Sequence, residues 1–287
     1  MKFGAVYCQS GIGYKYDRAA IRDFIQSVEG LGYDYLLTYD LLTKTADSSP
    51  PVNDSEPFAL LSYAAALTTK LELATGILVL PSRQTLLVAK QAAELDLLSG
   101  GRVRLGVSVG WNEPEYQAMG VDFNSRGERI EEQVTVLREL WTKPEVTFKG
   151  KYHHLEKIGI HPLPVQQPIP IWFGGYANAT FRRIAQMGDG WLAYNTPSKT
   201  AKTKVALLHD YLKKAGRKPE DVGIGICIEV PDADKYFDTT GYIKHIQDWR
   251  KLGATHCDIE IFLNAEKPIQ AHIKALKRFK DEVMTAI

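Results

Sequence analysis

Short apolar runs alternate with amphipathic stretches along the whole chain. Eight runs have the composition and length of strands, and each precedes a stretch with apolar residues at helical spacing. The predicted strands are Phe3 to Cys8, Tyr33 to Tyr39, Leu71 to Leu80, Arg102 to Val109, Ile169 to Phe173, Gly190 to Tyr194, Val222 to Val230 and Cys257 to Leu263. This repeat is typical of a closed parallel barrel, in which function lies in the loops after the strands. We therefore predict an α/β protein with the (β/α)8 TIM-barrel fold.

The predicted helices fill the intervals between these runs. They are Asp17 to Leu31, Phe58 to Leu67, Thr85 to Leu98, Arg126 to Trp141, Ala177 to Met187, Ser198 to Ala215, Thr240 to Leu252 and Pro268 to Val283. After the fourth strand–helix unit, the runs Val146 to Phe148 and Tyr152 to Leu155 predict an inserted hairpin, and four prolines mark an extended segment behind it. Composition does not change along the chain, so we expect one domain over residues 1–287.

Bulk composition excludes several classes of protein. The chain has 35 basic and 34 acidic residues, so no basic face for nucleic acid is expected. No apolar run reaches the ~18 residues of a membrane helix. The N-terminus enters a strand pattern directly, without a leader segment, which predicts a cytoplasmic protein. A length of 287 residues suits one barrel of about 250 residues.

Cysteine and histidine patterns do not predict a metal site. Cys8, Cys227 and Cys257 are far apart and lie inside apolar runs, which favours buried reduced thiols. The one histidine pair, His153-His154, lies in a predicted strand, where neighbouring side chains point to opposite faces. We therefore expect no bound metal.

A glycine-rich turn, Gly174-Gly175-Tyr176-Ala177-Asn178, follows the fifth strand. The glycines let backbone N–H groups approach a ligand, and the next helix begins at about Ala177, with its positive dipole end at the turn. This arrangement predicts phosphate binding, and Arg182 and Arg183 are near enough to add charge. A tight strand-to-helix turn without a ligand is the alternative.

Other strand ends carry candidate residues. Gly76 interrupts the third strand, which indicates either a close ligand approach or barrel packing. Gly110-Trp111-Asn112-Glu113 follows the fourth strand, where Asn112 and Glu113 are either functional or begin a helix. Asp40 ends the second strand as a functional or a capping carboxylate. Asp258 and Glu260 share one face of the eighth strand, and we expect the commoner arrangement, in which they face outward and pair with helices.

Several segments together resemble the luciferase-like monooxygenases, the bacterial luciferase superfamily. The motifs are Leu78 to Pro81 followed by Leu86 to Arg102, Gly106 to Tyr116, Pro170 to Gly175, and Gly188-Asp189-Gly190-Trp191. The branch that uses the deazaflavin coenzyme F420 is the most similar. The resemblance covers about the first 200 residues well and the remainder only by its strand–helix rhythm.

The resemblance implies a barrel that holds FMN or coenzyme F420 with the ring over its mouth, and it implies a homodimer. Matched positions give the cofactor residues. Gly174, Gly175, Tyr176 and Ala177 correspond to the phosphate segment, Gly76 and Ile77 to a non-proline cis peptide behind the ring, and Val109, Gly110 and Trp111 to a segment lining the ring. One departure is Leu41, which stands after Asp40 where F420-dependent dehydrogenases often carry histidine.

These observations predict a flavin- or deazaflavin-dependent oxidoreductase. Its small organic substrate would react by hydride transfer or by oxygen insertion. Tyr39, Tyr194 and Asn195 are the predicted substrate-pocket residues, and Asp40 and Glu113 are the predicted proton-handling residues. Two alternatives remain open: a flavin-binding barrel without catalysis, and an isomerase or lyase of phosphorylated metabolites that would use Asp258 and Glu260.

Overall fold

A closed parallel barrel forms the body of the protein. The computed structural model describes residues 1–7, 17–42, 55–194, 198–231, 236–262 and 268–287. The barrel strands are β1 (Lys2–Tyr7), β2 (Tyr35–Thr38), β3 (Glu72–Thr75), β4 (Leu78–Val79), β5 (Val103–Ser108), β8 (Ile171–Gly174), β9 (Gly190–Leu192), β10 (Gly223–Pro231) and β11 (His256–Phe262). Each pairs in parallel with its neighbour, and the pairing of β3 with β5 closes the sheet. The predicted (β/α)8 TIM barrel is confirmed.

Helices surround the barrel. They are α1 (Arg18–Gly30), α2 (Pro57–Leu67), α3 (Thr85–Ser99), α4 (Glu113–Ala118), α5 (Arg126–Thr142), α6 (Asn178–Met187), α7 (Ser198–Lys214), α8 (Thr239–Lys251) and α9 (Ile269–Glu282). In α1, buried Ile21, Phe24, Ile25 and Val28 recur at helical spacing and face the strands. No helix in the described ranges is both long and apolar enough to cross a membrane.

The predicted third strand is not continuous. Its backbone leaves the sheet between β3 and β4, where the Gly76–Ile77 peptide bond is cis, as the resemblance implies. A Cβ atom on Gly76 would lie 2.4 Å from a Leu37 methyl group. The apolar run from Leu71 to Leu80 hides this break, because buried strand and buried turn are equally hydrophobic. Gly76 was the one residue of this run that indicated the break between β3 and β4.

The inserted hairpin is confirmed after the fourth strand–helix unit. Strands β6 (Val146–Lys149) and β7 (His154–Ile158) are antiparallel, and β6 lies against α5. His153 at the hairpin contacts Glu132 Oε1 through Nδ1 at 2.7 Å and Thr85 Oγ1 through Nε2 at 2.6 Å. This histidine therefore fixes the hairpin to α5 and α3.

The outward orientation expected for Asp258 and Glu260 is wrong. Both are buried and face the barrel interior, where Tyr194 Oη donates to Asp258 and Tyr39 Oη donates to Glu260 at 2.5 Å. Lower in the interior, the Arg104 guanidinium pairs with Glu72 and lies over two aromatic rings. The barrel supplies hydroxyl and cationic partners, so these carboxylates need no contact with the outer helices.

Candidate active site

A cavity of about 630 Å³ lies at the carboxyl ends of β2, β3, β5 and β8. We call it the glycine cavity. The nine predicted cofactor residues all line it: Gly76, Ile77, Val109, Gly110, Trp111, Gly174, Gly175, Tyr176 and Ala177. Tyr39 and Asp40 line it as well. Segments distant in sequence thus meet at one opening, where barrel enzymes carry their chemistry.

The glycine-rich turn connects β8 with α6. Gly175 has a φ of +113°, a left-handed value that favours glycine. Its carbonyl accepts a hydrogen bond from Trp191 Nε1 at 2.8 Å, which holds the turn against β9. The N-cap residue of α6, Ala177, makes no side-chain capping bond. The first N–H groups of α6 therefore face the cavity mouth without a side-chain cap.

The turn and the cis peptide segment are in direct contact. A Cβ atom on Gly174 would lie 2.8 Å from Ile77 Cγ2, so a larger residue would displace the Ile77 side chain. Gly110, with a φ of +65°, closes the third side against Val79. Close backbone approach at three strand ends leaves room for a flat ligand and exposes peptide groups to it.

Asp40 forms an ion pair beneath the glycine cavity. Its buried carboxylate accepts from the Val79 amide at 2.8 Å and from Arg83 Nη2 at 2.8 Å. Arg83 also pairs with Glu56 at 3.2 Å. These contacts hold the backbone that follows the cis peptide. Proton handling by Asp40 remains a prediction, since its described contacts are those of a positioning residue.

Glu113 and Trp111 lie toward solvent. Trp111 is 76% exposed at the cavity edge. Glu113 is the exposed first residue of α4 and does not line the glycine cavity, whereas Glu115, two residues later, is buried and lines it. A helix that begins at Asn112 or Glu113 was one of the two predicted interpretations, but the sequence did not indicate that Glu115 would be the buried carboxylate. Tyr116 donates its hydroxyl to the Val109 carbonyl at 2.5 Å and anchors α4 to the end of β5.

A second cavity, of about 480 Å³, lies beside the first above β9, β10 and β11. We call it the carboxylate cavity, because Glu229 and Glu260 line it. The predicted substrate residues Tyr39 and Tyr194 line it too, and Tyr39 also lines the glycine cavity. The third predicted substrate residue, Asn195, lies outside the described residues. Tyr39 thus stands at the boundary between the two cavities.

Burial controls protonation in the barrel interior. Burial raises the pKa of Asp258 to about 6, although the Arg104 charge opposes the increase. Burial also raises the pKa of Cys227 well above its ordinary value, so this thiol stays protonated at neutral pH. Thiolate chemistry at Cys227 is therefore not supported.

The cations near the glycine-rich turn differ from those expected. Arg182 and Arg183 both pair with Glu131 on α5, at 2.8 and 2.9 Å. Lys204 on α7 instead donates to the Tyr176 carbonyl at 3.1 Å. Sequence alone gave no signal for Lys204, because the contact depends on the packing of α7 beside α6.

The chain belongs to the luciferase-like monooxygenase family. The sequence model of that family matches residues 1–234. A similar sequence is an uncharacterised protein of Mycobacterium tuberculosis, 32% identical over 251 residues, which cover 85% of this chain and 83% of that protein. The pyrimidine monooxygenase RutA of Allorhizobium ampelinum is 30% identical over 207 residues, which cover 67% of this chain and 55% of RutA.

Solved structures show the same fold at lower sequence identity. An F420-dependent secondary alcohol dehydrogenase, solved with an F420–acetone adduct, has a TM-score of 0.82 at 19% identity. The alignment covers 100% of this chain and 99% of the dehydrogenase. At this identity the match concerns the fold.

Proposed function

We propose that the protein is an oxidoreductase that binds a phosphate-bearing flavin or deazaflavin, FMN or coenzyme F420, in the glycine cavity. The proposal rests on one observation: the nine residues that match the family's cofactor segments all line one cavity of about 630 Å³. Membership of the luciferase-like monooxygenase family supports an oxidoreductase.

The chain's own residues fit the parts of such a cofactor. The turn from Gly174 to Ala177 would hold the phosphate with backbone amides at the start of α6. Ile77, behind the cis peptide bond, would support one face of the ring, and Val109 and Trp111 would line its edge. Bound cofactor would supply hydride transfer or, as reduced flavin, oxygen activation.

The carboxylate cavity is the proposed substrate compartment. It adjoins the glycine cavity at Tyr39, so a substrate there would lie beside the ring. Tyr39, Tyr194 and Phe262 give it aromatic surface, which favours a small organic substrate. The pyrimidine monooxygenase and alcohol dehydrogenase named above represent the two reaction types proposed here, oxygen insertion and hydride transfer.

The alternative of a cofactor-free isomerase receives no support from the geometry. It requires Asp258 and Glu260 to face one ligand as an acid–base pair. Asp258 lines neither of the two described cavities and is hydrogen bonded to Tyr194. A flavin-binding protein without catalysis would use the same glycine cavity and is distinguished by turnover.

Parallel titrations test the proposal. Purified protein is mixed with FMN and with F420, each oxidised and reduced, and the dissociation constant is measured from cofactor or protein fluorescence. We expect micromolar or tighter binding of one cofactor. Reduced complex is then exposed to oxygen and to a substrate panel, and oxidised complex to the same panel. Stimulated oxidation or reduction of the cofactor separates an enzyme from a binding protein. Binding of neither cofactor contradicts the proposal.

We also propose a homodimer. Leu86 and Leu87 on α3 are 44% and 52% exposed, which is typical of residues covered by a partner. Light scattering of the wild type and of Leu87→Lys tests this, because a charge in the interface would lower the oligomeric state. The single domain over residues 1–287 and the cytoplasmic location remain predictions.

A further inference from the structure

We infer that Lys204 is the cationic residue that binds the phosphate of the cofactor. The inference rests on the proposed function, since it concerns the same glycine cavity. It assigns a binding role to α7, an element that supplies none of the residues matched to the family's cofactor segments.

Lys204 reaches the glycine-rich turn from the side. Its ammonium group donates to the Tyr176 carbonyl at 3.1 Å, next to the Tyr176–Ala177 peptide. The same Nζ atom lies 5.8 Å from the centre of the Tyr176 ring and 5.9 Å from that of Phe181. The hydrogen bond and the two ring contacts therefore place the charge beside the glycine-rich turn.

Two aromatic rings border the ammonium group. The buried Phe181 ring and the more exposed Tyr176 ring hold the lysine side chain beside the turn. An ammonium group has three donors, and the Tyr176 carbonyl uses one of them. Lys204 can accordingly hold the turn and donate to an anion at the same time.

The neighbouring cations on α6 already have a carboxylate partner. Arg182 and Arg183 share the carboxylate of Glu131, and Arg183 also donates to the Gly127 carbonyl at 2.9 Å. Across the described parts of the chain, no carboxylate is paired with Lys204. An incoming dianion would thus find on α7 a cation that no described carboxylate holds.

A substitution cycle separates phosphate binding from a structural role. Lys204→Met, Lys204→Arg and wild type are titrated with FMN and with riboflavin, which lacks the phosphate. F420 and its phosphate-free deazaflavin fragment form a second pair for the case in which deazaflavin is the cofactor. Lys202→Met, an exposed lysine on the same helix, is the matched control.

We expect Lys204→Met to weaken binding of the phosphorylated cofactor about tenfold, as for loss of one charge-assisted hydrogen bond. Binding of the phosphate-free form should stay within about twofold, Lys204→Arg should restore most of the affinity, and Lys202→Met should match wild type. The salt dependence of the affinity should also decrease in Lys204→Met.

The outcomes distinguish this inference from the proposed function. If wild type binds a cofactor and Lys204→Met binds it equally well, the inference alone is overturned. The same holds if Lys204→Met weakens both forms equally, because that result indicates a structural contact with Tyr176. If wild type binds neither flavin nor deazaflavin, the proposed function fails and the inference fails with it.

Discussion

The two cavities at the barrel mouth are built in different ways. The glycine cavity depends on close backbone approach at the glycines that end β3, β5 and β8. The carboxylate cavity is formed by side chains, with Tyr39 and Tyr194 hydrogen bonded to interior carboxylates. The first suits a ligand that is the same in every turnover, and the second can change its chemistry by substitution without moving the barrel.

The ion pair under the glycine cavity should give the largest effect. Asp40→Ala removes the carboxylate that holds Val79 and Arg83, and among the described residues it leaves the largely buried Arg83 with Glu56 as its one carboxylate partner. We expect a loss of about 4 kcal/mol in the free energy of unfolding, measured by urea denaturation. The control Glu56→Gln, at the more exposed end of the cluster, should cost under about 1 kcal/mol. Equal losses would show that Asp40 does not support the backbone of this cavity.

Asp258, which lies in the barrel interior and accepts from Tyr194, should make the free energy of unfolding depend on pH. Its pKa is raised from 3.8 to about 6, so the folded state binds the proton more tightly than the unfolded state. This contribution is fully present below about pH 4 and is lost as pH rises through about 6. The loss is about 3 kcal/mol, since a tenfold change in proton affinity corresponds to about 1.4 kcal/mol.

Asp258→Asn tests this assignment. The amide keeps an acceptor for Tyr194 but cannot ionise. Urea unfolding between pH 4 and pH 7 should therefore lose the component of the pH dependence that Asp258 contributes. An unchanged pH profile would assign that dependence to other groups.

Gly175→Asp tests the glycine cavity through its affinity for the cofactor. It forces a side chain into a φ of +113° and adds a negative charge to the turn. We expect the dissociation constant of the phosphorylated cofactor to rise about hundredfold, or ~2.7 kcal/mol. Gly216→Asp, also at positive φ but with open space around its Cβ position, is the control for backbone strain. Unchanged affinity in Gly175→Asp would remove the turn from the cofactor site.

Tyr39, at the boundary between the two cavities, should give the smallest effect when it is substituted. Tyr39→Phe removes one hydrogen bond to Glu260 and keeps the ring that lines both cavities. We expect a stability loss of about 1 kcal/mol, measured by thermal unfolding, and little change in cofactor affinity. A large loss of cofactor affinity would contradict the division into two compartments.

The sequence indicated the residues of the glycine cavity better than the orientation of Asp258 and Glu260, and the reason is physical. The glycine cavity depends on short segments such as Gly174-Gly175, whose backbone requirements are local and visible in the residues themselves. The partners of Asp258 and Glu260 follow the ends of β9 and β2, so the inward orientation of the two carboxylates depended on barrel register. Glu115 and Lys204 were not predicted, because the position of each depends on how its helix packs.

The exposed position of Trp111 affects the fluorescence of the protein. The chain has five tryptophans, and Trp111 is the exposed one, whereas Trp141, Trp172, Trp191 and Trp249 are buried. Collisional quenchers such as acrylamide should therefore quench mainly the fluorescence of Trp111. Since this indole borders the glycine cavity, its protection from quencher would report ligand occupancy without any attached dye.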